Sequence, residues 1–309
     1  MAVRAEDRIA LAIIESRIDA ILPETYQDCY EDVQPTGMGS AALRFDQDGR
    51  VAWNEMWSSF CDLAIAGGPP HKGMLLEPGA PAEIAAQPER HDEVVNEICR
   101  GIEMVANLEA YESPDRGWVR VECLTQATAA WLLRAITVEN VAVRAVGHAI
   151  DLPAAPHFRL EKEIKNVITV VAKTTHYWLE HTSIPHREAI GSLFVAMAEK
   201  APLVAPAMPT DQVAEDTHRF AAACAGEAIR EATGLPVSPH RYLGWLGVEC
   251  PTIRAAIWMM RAMIVSNVLS RREGTVLFVA IDGLQDPRGA RVGAATVSAH
   301  RLARATGVF

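Results

Sequence analysis

A small set of reactive side chains occurs twice in this chain, in the same order. Glu122-Cys123 is followed by Thr125 and Arg134, and Glu249-Cys250 by Thr252 and Arg261. An Ala-Ile-Asp triplet then closes each set, ending at Asp151 and at Asp282. Carboxylates suit general acid/base work, and a threonine that opens a helix presents free N–H groups to an anion. Histidine adds a group that titrates near neutral pH. His71 and His186 each follow a proline and precede a cation, at Pro70-His71-Lys72 and Pro185-His186-Arg187. The catalytic candidates are therefore Glu249, Asp282, His71, His186, Glu122 and Asp151. Arg134, Arg261, Arg288, Thr125 and Thr252 are the candidates for holding a ligand. Of the two sets, the second is favoured, because Gly283 and the polar loop to Arg288 follow Asp282, whereas Asp151 is followed by a stiff Pro/Ala stretch.

Each residue also has a plain structural role. Arg134 and Arg261 can pair with Glu122 and Glu249 and tie a strand to a helix. Cys123 and Cys250 have no neighbour in sequence that would activate a thiol, and small buried cysteines are common. Asn140 and Asn267 suit the left-handed residue that ends a helix. No His, Cys or carboxylate spacing matches a metal site, and no cofactor is indicated.

These residues lie in two long matching stretches, 113–140 and 238–267. With a two-residue insertion in the second, 15 of 28 positions are identical. Chance gives about two at ordinary composition, so one unit has been duplicated and fused. Each copy reads as β-α-β. A short apolar strand ends at Glu122 or Glu249. A helix capped by Thr125 or Thr252 buries Trp131 or Trp258, and a further strand ends at Asp151 or Asp282. The connection is long enough for a parallel crossover, which would bring both acids of a copy to one carboxyl edge of a sheet, where α/β proteins bind ligands.

Periodicity predicts further helices over 5–21, 55–66, 91–110, 159–182, 188–199 and 211–232, and an Asp-Gly hairpin within 40–54. The last 25 residues have no counterpart in the first copy. The expected fold is α+β or α/β, with two homologous copies related by a pseudo-two-fold. An N-terminal helix and loop occupy 1–37, the copies 38–151 and 152–289, and a tail 290–309.

Net charge is −10, which disfavours nucleic acid and anionic membranes as partners. No apolar run is long enough to span a bilayer, and the amphipathic N-terminus carries acids that a signal peptide would lack. The six cysteines form no Cys-x-x-Cys pair, which fits a reduced, cytoplasmic protein. The expected activity is acid/base chemistry on a small polar or anionic metabolite, by a chain that could form a homo-oligomer. The alternative is a ligand-binding or assembly protein in which the repeated charges are struts.

Overall fold

The computed structural model describes residues 4–28, 42–57, 59–207, 212–238 and 242–309. It is an α+β protein with two compact units, one formed by 23–192 and the other by 1–22 with 193–309. Helix α1 (Ala5–Ala20) opens the chain and belongs to the second of these. Among the described residues, no helix is long and apolar enough to cross a membrane.

The 23–192 unit contains α2 (Pro81–Ala86), α3 (Pro88–Ala106), β1 (Ala110–Glu112), β2 (Trp118–Glu122), α4 (Gln126–Val138), β3 (Arg144–Val146), β4 (Ala149–Pro153) and α5 (Lys165–Glu180). Helix α6 (Ile184–Lys200) runs across the boundary. The other unit continues with α7 (Gln212–Thr233), β5 (Val237–Ser238), β6 (Trp245–Glu249), α8 (Ile253–Ile264), β7 (Ser270–Glu273), β8 (Val276–Ala280) and α9 (Ala290–Thr306). From α3 to α5 and from α7 to α9 the order is the same: helix, two strands, helix, two strands, helix. The sheets also share their strand order, β1-β2-β4-β3 and β5-β6-β8-β7. Helix α9, in the Ala/Arg-rich tail, holds the place in its unit that α5 holds in the other.

Every strand pairing in the two sheets is antiparallel, which corrects the expected parallel crossover. The reason lies in the segment after each central helix. It is a hairpin rather than a single strand, with Gly147-His148 and Gly274-Thr275 as two-residue turns. Gly147 and Gly274 have φ of 62° and 58°, which such turns require and which glycine adopts at no steric cost. The chain therefore returns beside β2 or β6 in the opposite direction.

Local signals for the central helices hold in detail. Thr125 Oγ1 accepts the Thr128 N–H and Thr252 Oγ1 the Ala255 N–H, both at 3.1 Å. Asn140 and Asn267 are left-handed, at φ 62° and 63°. Each sends its side-chain N–H to a backbone carbonyl at 2.8 Å, Lys72 in one unit and Ala201 in the other. Trp131 and Trp258 are buried, and Trp131 stacks on Trp178 of α5 at 5.1 Å. Replacing Thr252 by alanine should lower stability by about 1 kcal/mol, the usual cost of a lost N-cap. A chemical-denaturation midpoint that does not move would show that this cap contributes nothing.

Other expectations fare unevenly. The 5–21, 91–110, 188–199 and 211–232 helices appear with shifted ends, and the 159–182 helix begins as a π-turn at Leu160–Ile164. Residues 55–66 are not a helix: short 3₁₀ turns at Trp53–Glu55 and Ala64–Ala66 bracket irregular chain. The Asp-Gly hairpin is reduced to one bridge, Phe45 to Val51, and Ser40 and Ala41 lie outside the described residues.

Candidate functional site

In the 23–192 unit, the acids proposed to converge are separated by register. Glu122 pairs with Ala149 at one end of β2, while Asp151 pairs with Arg120 in the middle of the sheet. Arg144 on β3 is also in register with Asp151. One row across three strands thus reads Arg, Asp, Arg on one face. The fully buried Asp151 carboxylate accepts from Arg120 Nε and Nη2 at 2.8 and 3.0 Å. It also accepts from Arg144 Nε and Nη2 at 3.0 and 2.8 Å, and from Ser113 Oγ at 3.0 Å. Burial would raise its pKa, but the two guanidinium groups outweigh that and hold it below the usual carboxylate range. Both of its oxygens are engaged inside the protein, as a strut between the strands requires.

The same register corrects the Ala-Ile-Asp equivalence. Trp118 opposes Pro153 and Trp245 opposes Ala280, so the counterpart of Asp151 is Phe278. Asp282 lies two residues beyond β8 and matches nothing in β4. Arg144 corresponds to Arg271, which opposes Phe278. There the guanidinium lies over the rings of Phe278, Tyr242 and Trp245, at 4.3, 4.6 and 4.9 Å, and pairs with Glu273 at 2.8 Å. One unit surrounds its arginine with a carboxylate, the other with aromatic faces.

A second buried cluster gathers at the end of α4. The Lys173 ammonium and the Glu139 carboxylate, both fully buried, meet at 2.8 Å. Glu139 also accepts the N–H groups of Ala64 and His71, each at 2.9 Å. Lys173 donates to Cys61 Sγ at 3.2 Å and to the Asp62 carbonyl at 3.1 Å. Burial would lower the lysine pKa, and Glu139 outweighs it, so the net direction is upward. His71 sits beside the pair with Nε2 3.1 Å from Asn166 Oδ1, and burial pushes it down to about 4. Tyr26 donates to Asp62 Oδ1 at 2.9 Å and its hydroxyl lies 2.8 Å from that of Tyr177.

The remaining candidates scatter. Glu122 accepts the Tyr111 hydroxyl and Glu249 that of Ser238, both near the surface. Arg134 is buried and donates to the Ala130 carbonyl of its own helix, and burial lowers it to about 10. Arg261 is buried in α8. Burial pushes the Cys123 and Cys250 thiols up to about 12, which leaves them poor nucleophiles. The hydroxyls of Thr125 and Thr252 are committed to their caps. His186 lies in the first turn of α6 beside Glu24 and Gln27. It is no counterpart of His71, because Ala201 is what matches Lys72 in the asparagine bonds. The group His91, Asp92 and Glu112 has metal-like proximity. Arg116 already supplies its cation, reaching Asp92 and Glu112, and His91 Nε2 accepts from Gly117 N–H.

The arrangement that points outward from itself is a cleft in the other unit, lined by His218, Arg219, Ala222, Tyr242, Leu243, Gly244, Trp245 and Ile281. Gly283 N–H donates to His218 Nδ1 at 2.8 Å, so the ring proton is on Nε2. Nε2 is buried and has no hydrogen-bond partner among the described residues. An orphan donor of this kind costs about 1–3 kcal/mol unless an acceptor arrives. Asp282 holds the same loop in place, its Oδ1 accepting the Leu284 and Gln285 N–H groups. Asp286 caps α9 through Ala290 and Arg291, and Arg288 is exposed. Glu249 lies four residues along β6 from Trp245, about 13 Å at strand rise, and so is far from this cleft. His218 was missed in the sequence because it occupies a stripe of small apolar residues on α7, with Ala221, Ala222 and Ala225. Its only signal was a histidine among positions that otherwise suit alanine. Comparison of the chain with protein-family models, curated proteins and solved structures returns no significant match.

Proposed function

We propose that the chain binds a small polar or anionic metabolite in the His218 cleft through a carbonyl or carboxylate oxygen. The observation that carries this reading is the buried His218 Nε2–H, fixed in tautomer by Gly283 and without an acceptor among the described residues. Tyr242 and Trp245 line the cleft, and Arg219 stands at it with its charge shared with Glu215. Histidine held this way is a donor, so it suits recognition or polarisation of an oxygen better than proton abstraction. Acid/base turnover of the same ligand is the second reading, favoured by Asp282 adjoining the glycine that orients the ring.

The identical element order, the paired threonine caps and the paired left-handed asparagines support descent of the two units from one duplicated ancestor. A reducing cytoplasmic setting fits Cys61, Cys99, Cys123, Cys224 and Cys250, all of which are free.

Ligand-observed NMR with small carboxylates, carbonyl compounds and amines tests the binding reading. Acceptor-bearing compounds should shift the ¹⁵N signal of His218 Nε2, and His218→Phe should weaken them about tenfold, the worth of one hydrogen bond. Binders that leave that signal unchanged, or binding by amines alone, would overturn it.

A further inference from the structure

We propose that Cys61 and Lys173 form a covalent cross-link when the protein meets a peroxide, which makes this buried pair an oxidative modification site. The two residues are far apart in sequence, yet Nζ lies 3.2 Å from Sγ. Nζ also reaches Glu139 at 2.8 Å and the Asp62 carbonyl at 3.1 Å, so all three ammonium donors are aimed at fixed acceptors. Sulfur and nitrogen are thus held together by a rigid shell instead of meeting by chance.

The chemistry follows from what surrounds them. Peroxide oxidises the thiol to a sulfenic acid and leaves as water. The sulfenic sulfur is then an electrophile, and the nearest nucleophile is the lysine nitrogen. Glu139 takes one proton from the ammonium and frees the nitrogen lone pair. Nitrogen attacks sulfur, the S–O bond breaks, and a second N–H proton leaves with the hydroxide as water. Thiol, ammonium, carboxylate and one peroxide become a sulfenamide, a carboxylic acid and two waters. The buried ion pair is replaced by neutral groups, so no charge is stranded in the interior. A dithiol reductant reverses the sulfenamide: one thiolate attacks sulfur, the amine leaves with a proton, and the second thiolate resolves the mixed disulfide to free Cys61.

The test uses the full chain treated with hydrogen peroxide, then digested without reductant and mapped by mass spectrometry. The Cys61 and Lys173 peptides should appear joined, about 2 Da lighter than their sum. Dithiothreitol should separate them, and Cys61→Ser should abolish the joined species. A bridge closing so long a loop should also raise the melting temperature by on the order of 10 °C. The Lys173→Met/Glu139→Gln double variant removes the amine without stranding a charge, and in it Cys61 should proceed to sulfinic acid. Wild-type protein in which Cys61 reaches sulfinic acid with Lys173 unmodified would overturn the proposal. So would Cys61 that stays reduced while Cys99 and Cys224 oxidise. Both results come from the wild-type chain, so they stand even if a variant fails to fold.

Discussion

Lys173→Met is expected to destabilise the protein by about 3–5 kcal/mol, because it leaves the Glu139 carboxylate buried without its counter-charge. Glu139 would keep only the N–H groups of Ala64 and His71, which are dipoles and cannot replace an ammonium at 2.8 Å. Glu139→Gln should cost a comparable amount, since it leaves the Lys173 ammonium buried without an anion and sets an amide N–H against one of those N–H groups. The double variant Lys173→Met/Glu139→Gln should recover most of the loss, because a buried ion pair exchanged for neutral groups of similar size is often close to neutral. Urea titrations of the four proteins check this directly. Additive losses in the double variant would mean that the two side chains do not act as a pair.

Asp151→Ala is expected to cost up to about 3–5 kcal/mol, because Arg120 and Arg144 lose the carboxylate they share, although Arg144 keeps Asp115. Asp282→Ala should cost far less, since it loses only turn hydrogen bonds to Leu284 and Gln285. An equal loss from the two would remove the distinction between strut and loop. The same groups set the acid response. His71 has a folded pKa of about 4 against 6.5 in an unfolded chain, so the unfolded state binds its proton first. Its contribution is complete above about pH 6.5 and declines as pH falls toward 4. Asp151, held below the ordinary carboxylate range, keeps its contribution until pH falls below the unfolded value of about 3.9. Stability measured against pH should therefore fall in two steps, the upper one reduced in His71→Gln, where His300, also lowered by burial, still contributes.

Much of the local structure was legible because its causes are local. Thr125 and Thr252 cap helices by accepting an N–H three residues on, and Asn140 and Asn267 end them in a conformation asparagine tolerates. Strand direction was not legible, since it turned on reading Gly147-His148 and Gly274-Thr275 as two-residue turns within stretches that each read as one strand. That one choice moved Asp151 from a sheet edge to a sheet centre. It also hid the partners of Asp151, because Arg120 and Arg144 align with it only in an antiparallel register. The Ala-Ile-Asp match misled for the same reason: identical letters fell at positions four residues apart in strand register. His218 depended on a contact between α7 and the loop after β8, which no short-range pattern encodes.

The arginine shared by the two sheets has an implication for how such units diverge. Arg144 already lies over Trp118 at 4.6 Å while it binds Asp151, so it uses both a ring face and a carboxylate. Arg271 at the corresponding place is surrounded by rings and pairs with Glu273. A sequence can therefore travel from one arrangement to the other by single substitutions, provided the arginine stays and the position of Arg120, glycine at 247, changes before the aspartate does. Taken in the reverse order, the walk passes through a sheet that holds Arg120 with no anion beside it. Any path between the two arrangements is in this way given a direction, with one guanidinium as its fixed point.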